Sequence, residues 1–324
     1  MTKNELLSHF NLKLPVVAAP MFICSQTALV KACCKNGIVG TFPALNQRTT
    51  EGFEQWLVEL KEDFKEWEDK TGEKAPPYGV NLIVHRSNPR VQADMMICVK
   101  HQVPIIITSL GAVKEVVDAA HSYGGLVFHD VTNKRHAQKA IDAGVDGLIL
   151  VTAGAGGHAG TKNPIPFISE IREMWDGLIL LGGAISTGRD VATALQMGAD
   201  LAYMGTRFIN TDEAVADEGY KQMIIEAGTD DIVYTAAVSG IYGSFLKDSL
   251  KQAGIPPEMW GTSTKIDLGK ELDSEAKAWK TIWSAGQGVA AIKDSLPAKE
   301  LIDRLKAEFR TAVEEQAELL KHYG

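Results

Sequence analysis

Eight short apolar runs, each followed by a stretch of helical periodicity, constrain this chain more than anything else in it. The runs are PVVAAPMF (15–22), IVGTFPAL (38–45), YGVNLIV (78–84) and PIIITSL (104–110), then GLVFHDV (125–131), GLILVTAG (147–154), GLILLGGA (177–184) and LAYMGTRFI (201–209). IIIT and LILV are apolar throughout, as strands covered on both faces must be. Intervening segments such as AVKEVVDAAHSYG and KRHAQKAIDAG repeat apolar residues at helical spacing, and several end at a glycine. Strand then helix, eight times over, predicts an α/β chain folded as a (β/α)8 barrel. An open doubly wound sheet would want a GxGxxG turn after its first strand, but here that strand runs into APMFICS.

The length of 324 residues suits one barrel with an addition. Residues 1–228 are read as the barrel. Residues 229–324 are read as an irregular, partly helical extension that packs on it and covers the active site. The extension includes the turn-rich GIPPEMWGTSTKIDLGKELDS and a final amphipathic helix near 297–323, with Leu301, Leu305, Phe309, Val313 and Leu320 near one face. Residues 51–70 predict a long second helix, followed by a mobile loop at TGEKAPP.

Composition excludes several classes. A net charge of −8 argues against a nucleic-acid partner. No run of about 18 apolar residues suggests a membrane span, and MTKNELLSHFNLKLP lacks the core of a signal peptide. Cys24, Cys33, Cys34 and Cys98 fit no zinc spacing, so no metal is expected. They read as packed, reduced thiols of a cytoplasmic protein.

A barrel carries its chemistry at the carboxyl ends of its strands. Strand one ends in Ala19, Pro20, Met21 and Phe22. Strand three carries Asn81, and strand five ends in His129 and Asp130. Strand six runs into AGAGGHAG, which sets His158 on a backbone almost bare of side chains. Strands seven and eight end in Gly182-Gly183-Ala184 and Gly205-Thr206-Arg207. Glycines at the ends of two late strands, with a helix starting near Thr187-Gly188, suggest a phosphate site. A bare strip beside it suggests a flat ring lying over Gly156 and Gly157, and flavin mononucleotide (FMN) fits both.

These residues resemble the nitronate monooxygenases, formerly called 2-nitropropane dioxygenases. The resemblance rests on VVAAPMF, YGVNL, DGLILVTAGAGGHAG, GGAISTGRDVATALQMGADLAYMGTRFI and WSAGQGV, spread from residue 15 to residue 289. It implies FMN at the top of the barrel, with Met21 near the isoalloxazine and Asn81 at its edge. Gly182, Gly183, Gly205 and Thr206 would hold its phosphate, and His158 would match the family's active-site histidine. Substrates would be alkyl nitronates, or neutral nitroalkanes, together with molecular oxygen, giving carbonyl compounds and nitrite.

Two departures stand out: Asp130 occupies a position where relatives often carry lysine, with Lys134 the candidate substitute, and Gly154-Ala155 replaces larger or acidic residues. A histidine titrating near neutrality could hydrogen-bond nitro oxygens or take the proton of a nitroalkane. His129 reads as bonding a neighbour inside the barrel, and Arg207 as a structural ion pair. Asp130 either touches the flavin or orients a helix. Tyr234, Tyr242 and Trp283 are either pocket or core. The competing readings are an NAD(P)H-dependent flavin reductase, of quinone reductase or enoyl-acyl-carrier-protein reductase type, and a non-catalytic flavin subunit. A homodimer is among the expectations.

Overall fold

The computed structural model describes residues 3–85, 88–109, 111, 114–262 and 282–324. Leu110, Ala112, Val113 and most of the turn-rich stretch after Thr262 lie outside them. Helix α1 (Lys3–His9) comes first. The barrel follows as β1 (Val16–Ala18), α2 (Thr27–Lys35), β2 (Val39–Pro43), α3 (Thr50–Thr71), β3 (Gly79–Ile83), α4 (Val91–His101), β4 (Ile105–Ser109), α5 (Lys114–His121), β5 (Leu126–Val131), α6 (Lys134–Ala143) and β6 (Gly147–Val151). Next come a two-residue strand, β7 (Gly157–His158), then α7 (Pro164–Arg172), β8 (Leu178–Gly182), α8 (Gly188–Gln196), β9 (Leu201–Met204), α9 (Thr206–Ile209) and α10 (Glu218–Glu226). The extension adds β10 (Ile232–Thr235), β11 (Gly243–Leu246), α11 (Lys247–Gln252) and a last helix, α12 (Ala298–Tyr323).

Each of the eight apolar runs contains one barrel strand. The strands close in the order β1-β2-β3-β4-β5-β6-β8-β9, all parallel, with β9 pairing back onto β1. Alternation along each strand divides the core. Val17, Val39, Ile105, Ile107, Phe128, Ile149, Leu180 and Leu201 fill the barrel, while neighbours such as Ile106, Leu148 and Leu150 meet the helices. Phe10 and, less deeply, Leu6, Leu7 and Leu12 pack against the inner set. The segment at α1 therefore plugs the amino-terminal end of the barrel, a role its sequence did not announce. All four cysteines are buried free thiols, and burial pushes Cys24 and Cys34 up to about 12, which disfavours the thiolate. Among the described residues no helix is long and apolar enough to cross a membrane.

Helix α12 shows why the extension stays on the barrel. Leu301, Ile302 and Leu305 are buried, and Lys306 donates to the Asn36 carbonyl after α2. The expected apolar face runs out halfway, since Val313 is 44% and Leu320 71% exposed. Gly188 opens α8 directly under α12, its N–H donating to Glu308 Oε2 at 2.7 Å. A Cβ there would run into the Leu305 carbonyl and the Phe309 N–H. Gly188→Ala should therefore cost about 1–3 kcal/mol through overpacking, read as a lower urea midpoint; an unchanged midpoint would mean that α12 is not seated as described.

Candidate active site

A single cavity of about 1360 Å3 opens at the carboxyl ends of the strands. It brings together every residue that the sequence marked for the site: Ala19, Pro20, Met21, Asn81, Asp130, Gly156, Gly157, His158, Gly182, Gly183, Gly205 and Thr206.

The loop after β1 is held by a residue that sequence reasoning missed. Asn46 Nδ2 donates to the Met21 and Ser25 carbonyls at 3.1 and 2.6 Å, and its Oδ1 accepts from Ile23 N at 2.9 Å. These bonds keep Ile23 at φ +65°, and Ala184 sits at φ +55° across the cavity. Two non-glycine residues in left-handed backbone at one cavity are strain of the kind that binding sites store. An asparagine just past the end of strand two was the available signal.

On the β3–β5 side a hydrogen-bond chain descends. Asn81 Nδ2 donates to Ser109 Oγ at 2.8 Å, and Ser109 Oγ donates to Asp130 Oδ2 at 2.6 Å. Asp130 Oδ1 is buried with no hydrogen-bond partner. Burial raises the Asp130 carboxyl to about 6, against the opposing effect of the Ser109 bond. Beside it, His129 Nδ1 lies 2.7 Å from Thr108 Oγ1, and burial lowers that ring to about 4. His129 is thus a neutral, tied-down histidine, as its sequence context suggested. Lys134 does not stand in for a lysine at Asp130: it is not among the residues lining the cavity and lies 3.8 Å from Glu170.

The bare stretch 153–160 has a cause different from the expected one. A Cβ at Gly156 would lie 2.8 Å from Gly286 N and 2.9 Å from Ala285 C. A Cβ at Gly286 would lie 2.5 Å from the Gly154 oxygen, and Gln287 N donates to that oxygen at 2.8 Å. Two glycine-rich strips of backbone press together here, so Gly156 makes room for the 284–288 segment rather than for a ring alone. Gly157 and His158 form β7, pairing with Ser244 and Gly243 of β11, which pairs with β10. That small antiparallel sheet fixes His158, whose Nε2 lies 3.4 Å from Ser239 Oγ. Desolvation lowers its pKa, favouring neutral imidazole. Tyr234 stacks on Tyr242 and donates to the Ala159 carbonyl, and Trp283 stacks on Tyr220; Tyr242 and Trp283 line the cavity.

At β8 and β9 the expected helix contribution fails. The N-terminus of α8 is filled by the protein's own acids. Asp190 Oδ2 accepts from Ser186 N and Thr187 N at 2.9 Å each, and Glu308 takes Gly188 N. No anion is needed there. The ends of the strands remain. Gly183 has φ +142°, and its Cβ would meet Thr152 Oγ1. A Cβ at Gly205 would sit in ordinary contact with Ala19 and Met21, 3.8 Å away. Thr206 Oγ1 accepts from Gly286 N at 3.0 Å, leaving its proton to donate. Ser186 Oγ lines the same cavity, buried and without a partner. Orphaned oxygens at Ser186 and Asp130, on either side of one cavity, fit a polar ligand spanning it. Arg207 is not part of this: it is buried against Asp294, Nη2 to Oδ1 at 2.7 Å.

The Asp130 environment makes a prediction about stability. Its folded pKa lies above the unfolded value, so the unfavourable term is absent at low pH and grows as pH rises through about 6. Asp130→Asn should gain about 1–3 kcal/mol relative to the wild type between pH 4 and pH 8, measured by urea unfolding of the ligand-free protein. A difference independent of pH would contradict a buried carboxyl at this position.

The family model for nitronate monooxygenase matches residues 3–308. A nitronate monooxygenase of Paraburkholderia phytofirmans is 27% identical over 97% of each chain. Among solved structures, FabK from Thermotoga maritima superposes with a TM-score of 0.81 at 20% identity, covering 97% of this chain and 98% of that one. Nitroalkane oxidase from Streptomyces ansochromogenes gives 0.78 at 23% identity, covering 96% and 99%. These two share the barrel. With the match running through β1, the glycine-rich strips and both late strands, the chain belongs to the nitronate monooxygenase family of flavin-dependent oxidoreductases.

Proposed function

We propose that the protein binds FMN and oxidises alkyl nitronates with molecular oxygen to carbonyl compounds and nitrite. What carries this reading is that one cavity gathers the glycine ends of β8 and β9, the Asn81–Ser109–Asp130 chain and the neutral His158. Residues 1–228 supply the cofactor site, and residues 229–324 cover it through β10, β11 and the 284–288 strip. The backbone at Gly182, Gly183 and Gly205, with the hydroxyls of Thr206 and Ser186, would hold the phosphate. Met21, Ala19 and Pro20 would lie against the ring, and Asn81 and Asp130 would face its polar edge.

The bound FMN supplies the electron acceptor and the route to oxygen. The chain supplies the rest. A neutral His158 accepts the α-proton of a nitroalkane or donates one hydrogen bond to a nitro oxygen of a nitronate. Ser239 and the β7–β11 pairing hold the ring in place. Tyr242 and Trp283 exclude water from the reacting centre. A second reading, an NAD(P)H-dependent flavin reductase, draws support from the cavity, since about 1360 Å3 exceeds the roughly 300–1,000 Å3 of ordinary ligand pockets.

The purified protein should release FMN on denaturation, and recovery of FAD would contradict the assignment. Gly205→Asp places a carboxylate at the phosphate position without the backbone clash of Gly183→Asp, and should abolish flavin binding with little change in thermal midpoint. Normal flavin content in Gly205→Asp would move the phosphate elsewhere.

His158→Ala should keep its flavin and lose about 10²- to 10⁴-fold in turnover of neutral nitroalkanes, with a smaller loss on preformed nitronates, which need no proton removed. Equal losses on both would leave His158 a binding role only. Full activity would make it structural.

A further inference from the structure

The cavity lining is unusually rich in imidazole for this chain. Asp and Glu outnumber Lys and Arg by 41 to 33, yet among the described residues four of the eight histidines line the cavity, His85, His129, His136 and His158. Lys139 lines it too, and the acids lining it are Asp130 and Asp217. Asp217 is engaged as the cap of α10, accepting from Gly219 N.

His136 and Lys139 lie on α6, the helix that follows β5. The strand order puts β6 between them and the phosphate position at β8 and β9. The opening of α6 is basic, with Lys134, Arg135 and His136 and no acid in its first turn. Lys134 and Arg135 there are the reverse of the charge a helix start favours. Lys134 is turned to Glu170, whereas no ion pair to Lys139 is found among the described residues.

The His136 ring is oriented. Asn133 Oδ1 accepts from His136 N at 2.9 Å, which fixes the amide and puts Asn133 Nδ2 at 3.2 Å from His136 Nδ1 as a donor. Nδ1 therefore accepts, and the ring proton sits on Nε2, where it can be donated. Thr132, which also lines the cavity, adds a hydroxyl beside the ring.

We propose that Thr132, His136 and Lys139 form an anion subsite, separate from the flavin phosphate position, that binds the distal phosphate of the molecule reacting at the flavin. This rests on the reading that the cavity holds flavin and reactant together. The shared chemistry is a phosphate ester at the far end of an extended ligand, carried either by the nitronate substrate or by a nicotinamide nucleotide. The volume supports it, because about 1360 Å3 exceeds the roughly 300–1,000 Å3 of ordinary ligand pockets.

The test uses the flavin-loaded full chain and its Lys139→Met and His136→Gln variants, both altered at exposed positions. Inorganic pyrophosphate should bind the flavin-loaded wild type, followed by titration calorimetry, more weakly as salt rises. Lys139→Met should raise its dissociation constant about tenfold, with the flavin content and the KM for propyl nitronate, which carries no phosphate, unchanged. His136→Gln should show a smaller shift in the same direction. A nitronate ending in a phosphate monoester and NADPH (in anaerobic flavin reduction) then distinguish the sources: whichever shows a KM raised by Lys139→Met is the phosphate carrier. Lack of pyrophosphate binding, a dissociation constant indifferent to both variants, or loss of flavin from Lys139→Met would overturn the subsite. A wild type that oxidises no nitronate, yet whose flavin absorbance responds to pyrophosphate through Lys139, would keep the subsite and remove the nitronate reading.

Discussion

The architecture of the site depends on one contact between two pieces of backbone. The strip at 154–157 leaves β6, the strip at 284–288 returns from the extension, and they meet with no side chain between them. Gly156 and Gly286 each exclude a Cβ because the other strip is there. Gln287 N on the Gly154 carbonyl and Gly286 N on Thr206 Oγ1 lock the second strip to the first and to the end of β9. From that contact follow the β7–β11 pairing, the placement of His158 and the enclosure of the cavity. A barrel alone would leave the same strand ends open to water.

Electrostatics inside the cavity run against the ordinary charge states of its groups. Burial raises the carboxyl of Asp130 toward neutrality and depresses the imidazoles of His129 and His158 in the same direction. The charges that remain formal are placed differently. Arg207 is consumed by Asp294, and the N-terminus of α8 by Asp190 and Glu308. The contacts of Arg207 with Asp294 and of Gly188 with Glu308 tie the barrel to the extension and leave the strand ends for a ligand.

The barrel was legible in the sequence because buried parallel strands need continuous apolar runs, and nothing else in the chain produces eight of them. The positions of Asn81, Asp130, Gly183 and Gly205 followed, since a strand end fixes where its next residue points. What could not be read was contact at a distance. MTKNELLSHFNLKLP does not announce that Phe10 closes the barrel floor. GGAISTGRD reads as a phosphate-binding helix start, and only the fold reveals Glu308 arriving 120 residues later. That Gly156 of AGAGGHAG also makes room for WSAGQGV could not be read, because that segment lies over a hundred residues away. Asn46 and Ser186 were missed for a related reason: one matters through its three bonds to a loop, the other through a bond it lacks.

The central claim is that the reacting partner of the bound flavin is a nitronate. Anaerobic mixing of the flavin-loaded protein with a nitronate, and separately with NADH and NADPH, tests it most directly by following the yellow absorbance. The account predicts rapid bleaching by the nitronate and recovery of the colour when oxygen is admitted, with slow or no bleaching by either nucleotide. Rapid bleaching by NADH or NADPH together with an inert nitronate would contradict it and assign the site to a reductase.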